Sequence, residues 1–129
     1  MNEKILIVED NPASWRLLEM ALRPKDYILL KAADGAEALD MALREHPDLI
    51  LLDVRLPGMD GLEVTRRLRR NPSFKQTPII CITAYAMMGD QEKVLDAGCD
   101  VYLAKPIDTR KLPELVAEML RQQHKEMSD

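Results

Sequence analysis

Five short apolar runs recur along the chain, and each is followed by a segment of different periodicity. The apolar residues within each run are mostly consecutive rather than alternating, a pattern typical of strands buried on both faces. Such strands need helices on both sides of one sheet, because a strand without a polar face cannot border water. The runs occupy residues 5–8, 27–32, 49–53, 79–83 and 101–104.

Helix signals fill the segments between the runs. Asn11 precedes Pro12 as an N-cap residue would, and Asp34 and Asp60 each stand three residues before a glutamate, which is capping-box spacing. We therefore expect helices to begin near 12, 35 and 61, with a fourth at about 90–97 and a fifth at about 109–123. The apolar positions at helical spacing include Leu17, Leu18, Ala21, Leu22, Ala38, Leu39, Ala42, Leu43, Val64, Leu68, Leu112, Leu115, Val116, Met119 and Leu120.

This alternation of strand and helix predicts the fold class. Parallel strands need crossover connections, and right-handed crossovers place the helices on both faces of the sheet. We predict an α/β fold, a doubly wound (βα)5 sandwich around a central five-stranded parallel sheet. With 129 residues, we expect one domain over residues 1–124, a frayed tail over 125–129 and no output domain.

Composition and charge narrow the partners. The sequence has no apolar run long enough to span a membrane and no signal peptide, so we expect a cytoplasmic protein without membrane contact. The net charge of −4 argues against direct nucleic-acid binding. The basic cluster at 66–70 is interpreted as a solvated helix face in preference to a binding patch. Cys81 and Cys99 lack CxxC spacing and are interpreted as reduced, small apolar residues.

Polar residues end four of the five predicted strands. Glu9 and Asp10 follow the first, Asp53 ends the third, Thr83 ends the fourth, and Lys105 follows the fifth. The carboxyl ends of parallel strands meet at one edge of the sheet, where ligands of open α/β folds bind. Three carboxylates at that edge, without clustered histidine or cysteine, favour a hard cation such as Mg²⁺ over solvated edge residues.

The same residues have what phosphoryl transfer requires. A carboxylate nucleophile beside a divalent cation, an ammonium and a hydroxyl can receive a phosphoryl group and hold its oxygens. Asp53 is the best candidate nucleophile, because it lies between the acids and the pair formed by Thr83 and Lys105. Glu9 and Asp10 would then hold the metal.

Four segments give the chain a more specific likeness. They are "ILIVEDN" (5–11), "DLILLDVRLPGMDGLEV" (48–64), "PIICITAYA" (78–86) and "GCDVYLAKPI" (98–107). In this order and spacing, the sequence resembles the receiver domain of two-component response regulators from about residue 4 to 122. A weaker resemblance joins it to stand-alone cell-division regulators and to receivers attached to hybrid sensor kinases. The resemblance implies a CheY-like, flavodoxin-like fold.

The resemblance implies a role for each site residue. Asp53 matches the phospho-acceptor, and Glu9 and Asp10 match the acidic pair that binds Mg²⁺, with the backbone carbonyl of Arg55 as a further ligand. Glutamate at position 9 departs from the commoner aspartate and favours contact through water.

Further positions match the switch machinery. Thr83 matches the switch hydroxyl, Lys105 the phosphate-pairing cation and Tyr102 the aromatic residue that rotates inward on activation. Pro106 matches the proline that follows a cis peptide bond after Lys105. Activation would then change the face formed by helix 4, strand 5 and helix 5, at about residues 88–122.

Two variable positions bear on the lifetime of the phosphorylated form. Arg55 and Tyr85 occupy positions that, in the family, tune hydrolysis of the acyl phosphate. A long cation and a ring there could shield the phosphoryl group from water, so we expect a fairly long-lived phosphorylated form. The methionine pair in the neighbouring segment 84–90 is equally consistent with an adaptable interface and with core filling.

Three functions remain to be compared. A signalling switch would take its phosphoryl group from a histidine kinase or phosphotransferase, act on a downstream protein target, and be a monomer or a phosphorylation-dependent dimer. A phosphatase of the haloacid-dehalogenase type needs a second aspartate two residues after the nucleophile, where this chain has Arg55. A receiver-like module that works without phosphorylation would be favoured by loss of Asp53, Asp10 or Lys105, and all three are present. We therefore predict the switch, which is not a metabolic enzyme.

Overall fold

The computed structural model describes residues 2–84 and 90–127. Five strands and five helices alternate along these residues, with one 3-10 turn at Pro72–Phe74. The strands are β1 (Lys4–Val8), β2 (Ile28–Ala32), β3 (Leu49–Asp53), β4 (Ile79–Thr83) and β5 (Val101–Ala104). The helices are α1 (Pro12–Leu22), α2 (Gly35–Glu45), α3 (Gly61–Arg70), α4 (Asp90–Asp96) and α5 (Lys111–Met127).

All strand pairs are parallel, and their order in the sheet is β2-β1-β3-β4-β5. Residues of β1 and β3 contribute alternately to the two faces. Leu6 and Leu52 pack in one core layer with α2, α3 and α4, while Ile7 and Leu51 pack in the other with α1 and α5. The predicted doubly wound sandwich is confirmed. Its chain order reverses between β1 and β3, which places a crevice at their carboxyl ends.

Burial distinguishes the central strands from the edge strands. β3 and β4 are buried at every position, and β1 at all but its first. β2 and β5 are largely half-buried or exposed, because each has only one neighbouring strand. Burial on both faces, expected of all five runs, therefore holds for the three central strands.

Helix starts follow the capping signals. Asn11 accepts hydrogen bonds from the backbone N–H groups of Ala13 and Ser14, and Asp34 and Asp60 each cap the N–H three residues later. Apolar residues at helical spacing are not all buried, since Leu17 and Leu43 are both 54% exposed. Their neighbours Leu18 and Ala42 are buried instead.

Helix α5 corrects one boundary. It continues to Met127, beyond the predicted end near 123 and into the segment 125–129 that was expected to be frayed. Residues 121–127 include neither glycine nor proline and favour the helical conformation, so nothing in the sequence stops the helix there. The described helices include none that is long and apolar enough to cross a membrane.

The arginine cluster at 66–70 divides into two kinds of residue. Arg69 is mostly buried, and its guanidinium donates to the carbonyl oxygens of Gly98 (2.8 Å), Phe74 (2.6 Å) and Thr77 (2.8 Å) and to the carboxylate of Asp100 (2.7 Å). It thereby joins the segments that lead into β4 and β5. The solvated-face interpretation holds for the other three arginines, which are exposed.

Candidate functional site

The carboxyl end of β1 carries two acids in different environments. Glu9 is 2% exposed, whereas Asp10 lies at the surface. The backbone N–H of Glu9 donates to the carbonyl of Ala32 (3.0 Å), which extends the pairing with β2 by one residue. A Glu9 carboxylate oxygen accepts from the backbone N–H of Asn11 (3.1 Å). The residue that caps α1 thus also orients the buried acid.

Asp53 ends β3 and is 3% exposed. Its Oδ1 accepts from the backbone N–H of Arg55 (2.8 Å), and its Oδ2 accepts from Nζ of Lys105 (2.8 Å). Both carboxylate oxygens are therefore held, one by the turn that follows the strand and one by a cation from the far side of the crevice.

Lys105 reaches the acids from the end of β5. Its backbone N–H donates to the carbonyl of Thr83 (2.8 Å), and its Nζ lies 3.6 Å from a carboxylate oxygen of Glu9. Burial lowers the pKa of Lys105, but the hydrogen bond and charge of Asp53, together with Glu9, outweigh that effect and raise it. The ammonium is therefore charged wherever the acids are. The peptide bond between Lys105 and Pro106 is cis.

Glu9, Asp10 and Asp53 each offer a carboxylate oxygen, and these atoms lie within 4.8 Å of one another. Burial raises the pKa of Glu9 to about 7, and its hydrogen bond with Asp53 acts in the same direction. Like charges at this separation need a proton or a cation between them. A donor set made only of carboxylate oxygens suits Mg²⁺, so the residues present fit that ion.

The remaining predicted residues lie at different distances from the crevice. Thr83 ends β4 and is 4% exposed. Tyr102 lies within β5, half-buried against the core layer of α2, α3 and α4. Arg55 is exposed on the loop after β3. Tyr85 and the methionine pair lie outside the residues that the structure describes.

Comparison with known proteins decides the family. Residues 5–117 match the response regulator receiver domain. This chain belongs to that family.

Relatives and solved structures agree with this assignment. The receiver domain is 38% identical over 120 residues to the polar-differentiation response regulator DivK of Brucella ovis, covering 93% of this chain and 98% of the relative. The receiver domain of sensor histidine kinase PA1611 from Pseudomonas aeruginosa, whose structure has a magnesium ion in its active-site cleft, is 39% identical. It superimposes with a TM-score of 0.86, covering 94% of this chain and 99% of that one.

A CheY-like receiver domain from Methanospirillum hungatei is 32% identical and gives a TM-score of 0.89, with 98% and 99% coverage. The family and the fold predicted from the sequence are therefore confirmed, as is membership of a two-component system. The acidic cluster is compatible with Mg²⁺.

Two features of the receiver domain were missed in the sequence. A groove of about 630 Å³ runs from Glu9 and Lys105 along α1, where the exposed Leu17 forms part of its wall with Ile107. The sequence signal for the groove was Leu17. The buried face of α1 is already formed by Leu18 and Leu22, so a further leucine indicates an apolar surface outside the core. The second feature is Gly61 at the start of α3, which lies against the backbone of Asp53. The sequence signal for this contact was the glycine itself. Asp60 already caps the helix, so the first position of α3 does not require glycine for capping.

Proposed function

We propose that this receiver domain is a signalling switch that accepts a phosphoryl group on Asp53. One observation carries the proposal: a nearly buried carboxylate at the crevice has one oxygen 2.8 Å from the Lys105 ammonium. The same carboxylate lies within 4.8 Å of the oxygens of two further acids. This combination provides a nucleophile, a cation to pair with phosphoryl oxygens, and ligands for a metal.

Glu9, Asp10 and Asp53, with the backbone carbonyl of Arg55, would hold Mg²⁺. When bound, the ion supplies positive charge to the phosphoryl oxygens and to the crowded carboxylates. The magnesium ion in the similar Pseudomonas aeruginosa structure supports this choice.

The chemistry assigned to the chain is a displacement at phosphorus. A carboxylate oxygen of Asp53 donates an electron pair to the phosphorus atom, and the bond from phosphorus to the donor's leaving atom breaks with its electron pair. The product is an acyl phosphate. The Lys105 ammonium, which now donates to Asp53, is placed to donate to a phosphoryl oxygen instead, and the Thr83 hydroxyl at the next strand end is the second donor.

Phosphorylation would then change a surface. The phosphoryl group adds negative charge and acceptor oxygens, which attract Thr83 and the backbone after β4. Inward movement of that segment would leave room for the half-buried ring of Tyr102. The responding surface is the face built from α4, β5 and α5, and we assign it to a downstream protein target, with the receiver acting as a monomer or a phosphorylation-dependent dimer.

The phosphoryl donor we propose is a histidine kinase or a histidine phosphotransferase. Its phosphohistidine has to reach Asp53 inside the crevice, so the donor must cover the surrounding surface. The groove along α1 provides apolar contact area beside the crevice, including Leu17. We place this exchange in the cytoplasm, and we assign all of it to one receiver unit spanning residues 1–124.

Intact mass after incubation with acetyl phosphate tests the proposal. We expect one added phosphoryl group in the presence of Mg²⁺ and none in EDTA. The D53N variant should stay unmodified, because its amide is not a nucleophile. D40N makes the same chemical change on the exposed face of α2 and should be modified like the wild type. Addition that survives D53N, or no addition to the wild type, would refute the assignment of Asp53.

A further inference from the structure

The start of helix α3 lies directly against the end of the strand that carries Asp53. A Cβ atom at Gly61 would lie 2.4 Å from the carbonyl oxygen of Asp53 and 2.8 Å from Cα of Val54. Real Cβ atoms essentially never approach other atoms closer than 3.0 Å. The backbone N–H of Gly61 also donates to the carbonyl of Val54 (2.8 Å). The helix and the strand end therefore touch through main-chain atoms that cannot move aside like a flexible side chain.

The helix does not need glycine for its own sake. Asp60 supplies the N-cap and accepts from the backbone N–H of Glu63 (2.9 Å). Among the described residues, only Gly58 and Gly98 are glycines with positive φ, so Gly61 has a backbone conformation open to other residues. Glycine at this position costs conformational entropy. The contact with Asp53 is the feature that excludes a side chain.

If the atoms of this contact were displaced, the carboxylate of Asp53 would also move. Asp53 Oδ1 accepts from the N–H of Arg55, two residues further along the same turn. The Val54 carbonyl inside that turn is the acceptor for Gly61. An added methyl group would force the Asp53 carbonyl from 2.4 Å to at least 3.0 Å from the new Cβ. The peptide plane between Asp53 and Val54, which carries that carbonyl, would turn with it and disturb the turn that holds the carboxylate.

We propose that Gly61 is a positioning residue for Asp53: its missing side chain sets the place of the carboxylate relative to Lys105 and the other acids. This inference rests on the proposed phosphorylation of Asp53. Reactions of this kind lose about a hundredfold in rate for a misplacement of about 1 Å.

Gly35 provides a matched control. It is likewise buried, is likewise the first residue of a helix, and likewise follows an aspartate N-cap. The three atoms nearest to a Cβ there would be Cγ2 of Val64 (2.9 Å), Cβ of Met59 (3.0 Å) and the carbonyl oxygen of Met59 (3.2 Å), none of which belongs to β3. G35A and G61A therefore make the same change at equivalent helix starts. The new Cβ of G61A would press on the backbone of Asp53, whereas that of G35A would be less crowded and would first meet the side chains of Val64 and Met59.

The first experiment measures the rate of phosphorylation at saturating acetyl phosphate and Mg²⁺ for the folded fraction of each variant. We expect G61A to be slower by about tenfold or more, and G35A to stay within about twofold of the wild type. Equal losses in both variants, or a wild-type rate in G61A, would overturn the proposal.

A second readout needs no phosphoryl donor. The carboxylate carbon resonance of Asp53, assigned with D53N in protein labelled with ¹³C-aspartate, should shift in G61A and stay in place in G35A. If the wild type is not phosphorylated, the proposed function fails, yet this resonance still tests the placement of Asp53. If G61A is unfolded in buffer, both measurements are made in trimethylamine N-oxide, which favours the compact state. If G61A remains unfolded there while G35A folds, then Gly61 is required for folding, and the specific positioning role is refuted.

Discussion

The two ends of the sheet balance their charges in opposite ways. At the amino ends of β4 and β5, one carboxylate, that of Asp100, accepts from the guanidinium of Arg69 (2.7 Å) and from the backbone N–H of Ile79 (2.9 Å). At the carboxyl ends, oxygens of three carboxylates lie within 4.8 Å of one another, and the ammonium of Lys105 contacts two of them, those of Glu9 and Asp53. The first arrangement is complete within the chain, whereas the second has more negative charge than its own cation can balance.

This difference separates structural charge from functional charge. Carbonyl groups and one acid surround Arg69, so its hydrogen bonds stabilise the fold and leave nothing for a ligand. Burial and the neighbouring Asp53 raise the pKa of Glu9 to about 7, so its negative charge is disfavoured at this edge when no cation is bound. A site of this kind trades stability for the capacity to bind and react.

Removal of Arg69 should have the largest effect on stability. R69M would leave the carbonyls of Gly98, Phe74 and Thr77 and the carboxylate of Asp100 without this donor. We expect the free energy of unfolding in urea to fall by about 3 kcal/mol. R66M removes a half-exposed arginine whose guanidinium lies 3.9 Å from Glu63, and should cost less than about 0.5 kcal/mol.

The same pair tests whether the two ends are separate. The rate of phosphorylation per folded molecule should be unchanged in R69M, because the partners of Arg69 given above lie before β4 and β5, at the opposite end of these strands from Asp53. A slower rate in R69M with normal stability would show instead that the amino end helps to place Asp53.

The site edge should make the metal-free protein less stable as pH rises. The pKa of Glu9 is about 7 in the folded protein against 4.5 for an ordinary glutamate. Between these values the folded state binds the extra proton, so stability is greatest at low pH and falls as pH rises through that window. In EDTA, we expect a loss of about 2 kcal/mol between about pH 5.5 and 8 from this residue.

E9Q should remove this pH dependence, because glutamine cannot ionise and its oxygen can still accept from Asn11. E37Q, at the exposed start of α2, is the matched control and should keep the wild-type profile. Mg²⁺ should restore stability at high pH in the wild type by compensating the acids. If the free energy of unfolding in urea depends on pH in E9Q as it does in the wild type, then the repulsion between the acids is relieved by a group other than Glu9.

The sequence predicted the regular parts of this molecule well and the contacts across it less well. Capping residues such as Asp60 and the consecutive apolar residues of β3 are local signals, so helix starts and strand bounds followed from them. Helical spacing does not say how much of a helix the core covers, so it could not separate the exposed Leu17 and Leu43 from their buried neighbours. Neither glycine nor proline limits α5 near 123, so the sequence has no local signal that locates the end of this helix.

At the site, the position of Glu9, Asp53 and Lys105 at the ends of parallel strands was enough to predict that they lie at one edge of the sheet. The same reasoning cannot reveal a contact between a helix start and a strand end, because Gly61 and Asp53 touch through their main chains. Nor could charge counting separate Arg69 from its neighbours in the cluster. That distinction depends on where the loops before β4 and β5 lie.

The smallest effect we predict concerns the lifetime of the phosphorylated form. Arg55 is exposed on the loop after β3, with its backbone N–H bonded to Asp53, so its side chain can border the phosphoryl group without building the site. We expect the acyl phosphate of the wild type to persist, and R55A to lose it severalfold faster, a change of less than about 1.4 kcal/mol in the barrier. Loss of the phosphoryl group after removal of free donor, followed by intact mass in Mg²⁺, measures both rates.

R67A, on the exposed face of α3, removes the same charge outside the crevice and should leave the lifetime unchanged. Rapid loss of the phosphoryl group from the wild type, or equal lifetimes in R55A and the wild type, would mean that water reaches the phosphoryl group regardless of Arg55. The excess negative charge at this edge of the sheet would then serve to bind the cation and would not protect the acyl phosphate.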